Sequence, residues 1–470
     1  MMIPRIKMAE QKNKSTKHYE GRWPHLYKLW CSALNQESLP QFDRWLSQEF
    51  AKNSKYGSRD RRWYSECLFA GIRFGYFSLF CEEFFLKCQH VNLHEKLIKE
   101  FIINFEENFK NSNQLLSKWK EITEERFFVW IRLRYQLVYK NKSSAVSLEL
   151  SSENFQLETQ FFAKLISFLE NSKDISFHLI FSSIPIWYKS SLEKRIEKSN
   201  WNETEVKQFL TELDSRPPLW IRINDLSKTE LITQELIKEG FEFEHFDSSL
   251  KVTGAKGVFA LQAYRSGLFE IQDLASQRIG QNIQVKNGQF VWDCCAGGGG
   301  KTQQIASLLK NKGVIYASDI REYKLEEVKK RARKSGFFNI RCLPWNGEKL
   351  PQFQKEVENR NGFDWVLVDA PCSSSGTWRR NPDAKYRVSS DNILSLSKLQ
   401  HSILEKASKG VRVSGHLVYS TCSWVFDENE GIVCEFLKNN PNFSLVKQNL
   451  LGSPHENADT MFAAVLKRES

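Results

Sequence analysis

The chain has 470 residues, which is enough for two or three domains that each enclose a core. Its formal net charge of +11 favours a polyanionic partner such as nucleic acid, although solvated lysine-rich faces also produce such a charge. No apolar run approaches the roughly 20 residues of a membrane helix, the start of the chain lacks a secretory signal, and the ten cysteines include no CxxC pair. We therefore expect a cytoplasmic monomer with reduced thiols and no membrane association, and no metal site because the nine histidines form no HExxH motif.

Residues 1–175 are predicted to form a helical domain. The segments FDRWLSQEF, ECLFAGIRFGYFSLFCEEFF and EKLIKEFIINFEENF carry apolar residues at the i, i+3, i+4 and i+7 spacing of a helix. Within this domain, Ser58–Tyr64 (SRDRRWY) mixes three arginines with two aromatic residues. The segment could contact RNA, or it could be a helix start that Asp60 caps while the aromatic rings pack inward, and we favour the second interpretation.

A smaller α/β connector is predicted for residues 176–285. Pro217–Asn224 is typical of a strand, Lys228–Phe241 of a helix with Gly240 near its end, and Gly257–Tyr264 (GVFALQAY) of a second strand. Such a connector could contribute to an RNA groove or simply bridge two domains.

Residues 286–470 alternate between strand and helix patterns. Strands are predicted in FVWDCCA, VIYASDI, FDWVLVDAP, HLVYSTC and MFAAVLK, with helices after each of the first four. This alternation predicts an α/β fold with a mainly parallel sheet and helices on both faces.

A glycine-rich turn, DCCAGGGGKT (Asp293–Thr302), follows the first of these strands. A P-loop would need glycine where this chain has Cys295, and four consecutive glycines do not fit the GxGxxG dinucleotide fingerprint. The turn can still bring backbone N–H groups to an anionic ligand at a helix N-terminus. Asp319, after the second strand, could accept hydrogen bonds from ribose hydroxyls. The pair suits the carboxylate and ribose of S-adenosylmethionine, although an acidic residue at this place also occurs in NAD enzymes.

Two cysteines, Cys372 and Cys422, each directly follow a predicted buried strand, in the polar contexts DAPC and STCS. Ligands bind at the carboxyl ends of parallel strands, so both thiols could face one cleft, where a cysteine could act as a covalent nucleophile. Free cysteines are more often small buried hydrophobic residues, and we interpret most of the others in that way. These are Cys31, Cys67, Cys81, Cys88, Cys294, Cys342 and Cys434.

Three motifs, in this order and spacing, resemble those of the Nop/Sun family of RNA (cytosine-5) methyltransferases: DCCAGGGGKT, LVDAPCSSSGTWRRNPD and LVYSTCSWVFDENE. The likeness continues upstream through SIPIWYKSSLEK, RPPLWIRIN and LFEIQDLASQ, and more faintly through KYGSRDRRWY. It implies a Rossmann-like, S-adenosyl-L-methionine-dependent methyltransferase domain at 286–470, an RNA-recognition-like connector, and an N-terminal RNA-binding domain like the antitermination factor NusB. A NusB-like start favours small-subunit ribosomal RNA over transfer RNA as the substrate.

The resemblance also implies roles for individual residues. Cys422 would attack carbon 6 of the cytosine, Cys372 would assist release, Asp369 would contact the base, and Lys301 would lie near the base and could hold a nearby thiol as thiolate. The residues expected to bind the cofactor are Cys295, Ala296, Gly297, Gly298, Gly299, Gly300, Lys301, Asp319, Asn346 and Asp369.

Three positions depart from the family pattern. Gly298 stands in place of a proline, Asn346 in place of an aspartate that contacts the cofactor, and Met461 in place of a glycine. Three other functions stay open. A DNA cytosine-5 methyltransferase would use the thiol of its PC motif as the nucleophile, and the same fold could serve transfer RNA methylation or a non-catalytic role in ribosome assembly. Presence of both thiols together with Asp369 and Lys301 favours an RNA-modifying enzyme.

Overall fold

The computed structural model describes residues 22–109, 112–122, 124–139, 155–253 and 257–470. The chain divides into two compact units, each of which is discontinuous in sequence. The first unit consists of Met1–Glu193, Leu213–Ser215 and Trp378–Ser390. The second unit consists of Lys194–Glu212, Arg216–Thr377 and Asp391–Ser470.

Amphipathic helices form the first unit, as the apolar spacing predicts. The longest, α3, has apolar residues around most of its circumference, which is the pattern of a helix enclosed by others. The helices are α1 (Trp23–Leu34), α2 (Phe42–Lys52), α3 (Ser58–Cys88), α4 (Glu95–Asn108), α5 (Ser112–Glu121), α6 (Glu124–Tyr139), α7 (Gln156–Asn171) and α8 (Ile175–Phe181).

The SRDRRWY segment is the start of α3. The backbone N–H of Gly57 donates to the Asp60 carboxylate at 3.3 Å, and the rings of Trp63 and Tyr64 are buried in the helical core. The interpretation as a helix start is therefore confirmed.

The segment Trp378–Ser390, which follows the first thiol motif in sequence, packs inside the helical unit. The ring of Tyr386 contacts Trp119, and Trp378 contacts Tyr188. Lys385 is buried and its ammonium donates to the backbone carbonyls of Arg73 and Ser183, at 2.8 and 2.9 Å. Burial lowers the pKa of Lys385 to about 7, against the opposing effect of the Asp214 carboxylate.

Two helices, α9 and α10, contain points at which the chain passes between the units, and a four-stranded antiparallel sheet follows them. The strand order is β2-β3-β1-β4. The elements are α9 (Lys189–Ser199), α10 (Glu203–Asp214), β1 (Leu219–Ile223), α11 (Thr229–Lys238), β2 (Glu242–Phe246), β3 (Ser249–Thr253), α12 (Gln262–Arg265) and β4 (Phe269–Ile271).

The prediction of a strand in GVFALQAY is wrong. Val258–Ala260 forms a turn of 3₁₀ helix and α12 follows it. The carboxylate of Glu235 in α11 accepts hydrogen bonds from the backbone N–H groups of Gln262 and Ala263 and so caps the short helix. This cap comes from a residue distant in sequence, and an apolar pattern cannot reveal it.

A seven-stranded sheet forms the rest of the second unit, with strand order β10-β11-β9-β8-β5-β6-β7. Strands β5 to β9 run parallel. Strand β11 is antiparallel to its neighbour β9, and β10 is antiparallel to β11. The elements are α13 (Leu274–Gln281), β5 (Phe290–Asp293), α14 (Gly300–Leu309), β6 (Val314–Ala317), α15 (Glu322–Lys334), β7 (Ile340–Cys342), α16 (Lys355–Glu358), β8 (Phe363–Asp369), α17 (Ala384–Arg387), α18 (Ser390–Ser408), β9 (Val411–Thr421), α19 (Glu430–Asn439), β10 (Phe443–Leu451) and β11 (Met461–Arg468).

Successive residues of the central strands point to opposite faces of the sheet and belong to two separate cores. Trp292 packs with residues of α18 and α19, whereas Val291 packs with residues of α13 and α14. Helices therefore cover both faces, which confirms the predicted fold class. No helix in the described ranges is long and apolar enough to cross a membrane.

Candidate active site

The two thiols singled out in the sequence meet at the carboxyl edge of the parallel sheet. Strands β8 and β9 are neighbours, with Asp369 opposite Ser420, and Cys372 and Cys422 lie just beyond the ends of these strands. The Sγ atoms are 3.3 Å apart. Gly376 keeps the two loops close, because its N–H donates to the Cys422 carbonyl and a Cβ on it would lie 1.6 Å from the Thr460 oxygen.

The surroundings make the two thiols unequal. The hydrogen bond with Cys372 lowers the pKa of Cys422, with further help from Ser374 and the Lys301 ammonium, against burial and the charge of Asp369. The same hydrogen bond, burial and the charge of Glu428 raise the pKa of Cys372. The two shifts therefore favour the thiolate form of Cys422 and the protonated form of Cys372.

An ion pair lies beside the thiols. The Lys301 Nζ atom, in the first turn of α14, is 2.7 Å from the Asp369 Oδ2 atom at the end of β8. The Ser420 hydroxyl donates to the other carboxylate oxygen at 2.9 Å. Burial opposes the charge on Lys301, but the Asp369 carboxylate outweighs burial and raises the pKa of the lysine. The site thus contains a fixed cation whose charge favours the thiolate form of Cys422.

The glycine-rich turn wraps the N-terminus of α14. Gly297 and Gly299 have φ values of +54° and +81°, in the left-handed region that favours glycine. The Ala296 N–H is used within the fold, where it donates to the Ser318 carbonyl. Gly298, where the family pattern has proline, has no positive φ, and its carbonyl accepts a hydrogen bond from Arg331 at 2.6 Å. The turn is therefore held without the proline.

Asp319 lies beside this turn and is almost fully buried. Its carboxylate accepts hydrogen bonds from the Gly297 N–H at 2.9 Å and from Arg321, through both the backbone and the guanidinium. Burial alone would raise the pKa of Asp319, but these donors outweigh burial and lower it. Asn346 is exposed. Its backbone lies near Asp319, because the N–H of the preceding residue, Trp345, donates to the Asp319 carbonyl. The Asn346 Oδ1 atom accepts a hydrogen bond from the Glu348 N–H.

Most of the predicted cofactor residues occupy one stretch of the sheet edge, from β5 to β7, and Asp369 ends the neighbouring strand β8. Together they fit S-adenosyl-L-methionine. Gly297 has open space where a Cβ would stand, so a ligand can approach its backbone closely. Asp319 supplies a carboxylate suited to ribose hydroxyls, and the ion-paired Lys301 and Asp369 lie between this stretch and the thiols. Cys295 is only partly buried, beside the core under this edge. Met461 begins β11 and is buried, opposite Leu451.

Sequence reasoning missed three charged residues at the site. Asp293 ends β5 and is buried, with its Oδ2 accepting a hydrogen bond from the Thr302 hydroxyl at 2.6 Å, and burial raises its pKa to about 7. Arg321 binds Asp319, and Glu428 binds the residues that follow both thiols. The position of Asp293 at the end of a strand, directly before the glycine-rich turn, was the one usable signal.

The chain is similar to proteins of known family. Residues 281–467 match the model of a family described as 16S rRNA methyltransferase RsmB/F. The chain is 34% identical over 231 residues to a probable ribosomal RNA small subunit methyltransferase B of Bacillus subtilis, covering 48% of this chain and 51% of that protein. It is 30% identical over 292 residues to ribosomal RNA small subunit methyltransferase B of Citrobacter koseri, covering 59% of this chain and 66% of that protein. The chain thus spans between about half and two thirds of the length of these relatives.

A solved structure shares the fold. The crystal structure of NSun6 from Pyrococcus horikoshii with SFG superposes with a TM-score of 0.51 and 20% sequence identity, over 59% of this chain and 97% of that one. At this identity the superposition concerns the fold, and it agrees with the Rossmann-like sheet described above.

Proposed function

Because residues 281–467 place its C-terminal domain in the RsmB/F family of RNA methyltransferases, we propose that this chain methylates carbon 5 of a cytosine in small-subunit ribosomal RNA. This agrees with the likeness to the Nop/Sun family seen in the motifs. The family match and the methyltransferase fold identify S-adenosyl-L-methionine as the cofactor. The observation that carries the cytosine-5 chemistry is the pair of thiols, Cys372 and Cys422, whose Sγ atoms are 3.3 Å apart.

A cysteine nucleophile solves the central chemical difficulty of the reaction. Carbon 5 of cytosine is too weakly nucleophilic to take a methyl group directly. The Cys422 thiolate adds to carbon 6, and the electrons of the carbon 5–carbon 6 double bond form a double bond between carbons 4 and 5. The electrons of the carbon 4–nitrogen 3 double bond move onto nitrogen 3, which takes up a proton, and carbon 5 becomes an enamine carbon. The bound cofactor supplies an electrophilic methyl group to that carbon.

Release reverses the addition. The proton on carbon 5 leaves to water, the double bond re-forms, and the bond between carbon 6 and Sγ breaks with its electrons returning to Cys422. Cys372 assists this step, because its S–H group is placed to donate a hydrogen bond to the departing thiolate. The lowered pKa of Cys422 favours both its attack and its departure.

Asp369 and Lys301 prepare the site for charge that develops in the adduct. Asp369 contacts the exocyclic amine and the ring nitrogen of the target base, and Lys301 orients that carboxylate through the 2.7 Å ion pair. The same ammonium favours the thiolate form of Cys422.

The substrate is RNA in which the target nucleotide can leave its stack. An enzyme that works on carbon 5 and carbon 6 needs access to the face of the base, which is easiest in a loop or an unwound strand. The small-subunit ribosomal RNA is favoured because the matched family is described by that substrate. A net charge of +11 also suits a polyanion.

Two single substitutions test this mechanism. We expect Cys422→Ala to abolish methyl transfer and covalent adduct formation, with RNA binding retained. We expect Cys372→Ala to form an adduct that persists in denaturing gels, because attack proceeds while release is impaired. The assay uses small-subunit ribosomal RNA with labelled S-adenosyl-L-methionine. Cys434, interpreted from the sequence as buried, is exposed on α19, and Cys434→Ala serves as the matched control.

The outcomes distinguish the alternatives. An adduct that forms in Cys422→Ala but not in Cys372→Ala would reverse the roles and indicate the mechanism of DNA cytosine-5 methyltransferases. Methylation of transfer RNA but not of ribosomal RNA would change the substrate and keep the chemistry. Absence of methyl incorporation into any RNA by the parent protein would favour a non-catalytic assembly factor.

A further inference from the structure

Glu428 is a buried carboxylate in the turn between β9 and α19. Its exposed fraction is 0%, although it lies in a polar sequence, DENE, where a glutamate is usually exposed. Among the described residues no lysine or arginine forms an ion pair with it. A buried charge without a counter-ion costs free energy unless hydrogen bonds replace its hydration. The hydrogen-bond donors around Glu428 therefore explain how the carboxylate can be buried.

The donors come from the residues that directly follow the two thiols. Ser373, next to Cys372, donates to Glu428 through its backbone N–H at 2.8 Å and through its hydroxyl at 2.5 Å. Ser423, next to Cys422, donates through its hydroxyl at 2.6 Å. Gln400, in α18, completes the set through its side-chain amide at 3.0 Å. One carboxylate therefore binds both thiol loops at once.

The loops are also linked without Glu428, but through weaker and neutral contacts. The Gly376 N–H donates to the Cys422 carbonyl at 3.0 Å, and the Trp424 N–H donates to the Ser375 hydroxyl at 3.1 Å. The Ser375 hydroxyl also lies 2.8 Å from that of Ser423. Hydrogen bonds to an ionised acceptor are roughly twice as strong as neutral ones, so the carboxylate is the strongest of these links.

We propose that Glu428 is a positioning residue that holds the Cys372 and Cys422 loops together, so that the Cys372 thiol stays within hydrogen-bond distance of the Cys422 sulfur. It acts through the two serines and does not touch the base. The contribution of Glu428 to catalysis rests on the proposed function. Its positioning of the two loops does not, because that geometry is present in the protein without RNA or cofactor.

Two effects of Glu428 on the thiols have opposite signs. Its negative charge raises the pKa of nearby acids, and both Cys372 and Tyr419 in β9 experience this effect. Its hydrogen bonds keep Cys372 against Cys422, which lowers the pKa of Cys422. The other charged groups that act on Cys422 are Lys301 and Asp369. Loss of charge alone would thus lower thiol pKa values, whereas loss of the linkage would raise that of Cys422.

The test measures alkylation of Cys422 by iodoacetamide as a function of pH, followed by peptide mass spectrometry on the full-length protein without RNA or cofactor. Cys372→Ala defines the shift expected when the hydrogen bond to Cys422 is lost completely. We expect Glu428→Ala to shift the midpoint in the same direction, toward higher pH, and to slow alkylation at pH 7 several-fold. Glu428→Gln should show little or no such shift, because rotated serine hydroxyls can still pair with the amide while the charge is gone.

Glu435→Gln is the matched control, since it removes an exposed carboxylate of α19. It should leave the alkylation profile at that of the parent. If Glu428→Ala does not fold, the double variant Ser373→Ala with Ser423→Ala removes the hydroxyl links and should give the same shift.

A folded Glu428→Ala protein with the parent's alkylation profile would overturn the proposal, and so would a shift toward lower pH, which would assign Glu428 a purely electrostatic effect. Methyl transfer is measured separately. If the alkylation shift is present but the parent never methylates RNA, the positioning role stands and the proposed function fails.

Discussion

The guanidinium of Arg321 lies against the carboxylate of Asp319, with Nε donating to Oδ1 at 3.0 Å and Nη2 donating to Oδ2 at 3.2 Å. The backbone N–H groups of Arg321 and Gly297 donate to the same two oxygens. An ionised carboxylate offers about four acceptor positions, so ribose hydroxyls would compete with the guanidinium for Asp319. The Arg321 side chain is 50% exposed and can move away without disturbing the core.

Asp319→Ala should weaken binding of S-adenosyl-L-methionine by roughly 1–3 kcal/mol, through loss of charge-assisted hydrogen bonds to the ribose. Isothermal titration calorimetry measures the change. Glu326→Ala, which removes an exposed carboxylate of α15, is the control. Unchanged affinity in Asp319→Ala would show that the ribose binds elsewhere.

Arg321→Ala should have the opposite effect and tighten cofactor binding by a few-fold, because Asp319 no longer exchanges one partner for another when the ligand arrives. Arg321→Lys, which cannot donate in the same bidentate way, should lie between the variant and the parent. Weaker binding in Arg321→Ala would mean that the guanidinium itself contacts the cofactor.

Lys301→Met should shift the pH profile of methyl transfer toward higher pH. Removing the cation raises the pKa of Cys422, so the thiolate fraction at a given pH falls. The rate at pH 7 should fall at least several-fold, and part of the loss should be recovered at higher pH. Lys312→Met, which changes an exposed lysine after α14, is the control. A uniform loss at every pH would assign Lys301 to positioning Asp369 alone.

Asp293→Asn should stabilise the protein near neutral pH. Burial raises the pKa of Asp293 to about 7, above the value of about 3.9 in an unfolded chain. Between these values the folded state holds a proton that the unfolded state releases, so the parent loses stability as pH rises through this window. The variant should be more stable by roughly 2–4 kcal/mol at pH 8, and the difference should shrink toward pH 4.

Thermal unfolding of parent and variant at a series of pH values measures this difference. Asp391→Asn, at an exposed aspartate of α18, controls for the general loss of a carboxylate. A stability difference for Asp293→Asn that is the same at pH 5 and pH 8 would show that Asp293 does not titrate in this range.

The meeting of the thiols could be predicted from the sequence because it depends on local rules. Cys372 and Cys422 each follow an apolar strand, and parallel strands end at the same edge of a sheet. The fold of residues 286–470 was predictable for the same reason, since the strand and helix patterns alternate regularly. The edge strands β7 and β10 were missed because their apolar patterns are weak next to those of the central strands.

The partners of the site residues depend on tertiary packing and could not be predicted. Glu428 is buried because Ser373, 55 residues earlier in the chain, donates to it. The short helix α12 depends in a similar way on Glu235, 27 residues earlier. The guanidinium of Arg321 donates to the carboxylate of Asp319, two residues earlier. This contact depends on the rotamer of Arg321, which no sequence pattern encodes. For Glu428 and for α12, the decisive hydrogen bond joins segments whose separation carries no periodic signal.

The segment Trp378–Ser390 belongs to the helical unit although the sequence on either side of it belongs to the second unit. This affects how the protein can be cut into fragments or combined with parts of its relatives. A fragment that starts after the N-terminal helices would keep Trp378 and Tyr386 and lose Tyr188 and Trp119, the rings against which they pack. The buried Lys385 would likewise lose the carbonyls that bind it. The two units are thus not interchangeable modules joined by one linker, and an exchange of either between relatives would have to carry residues 378–390 with the helices.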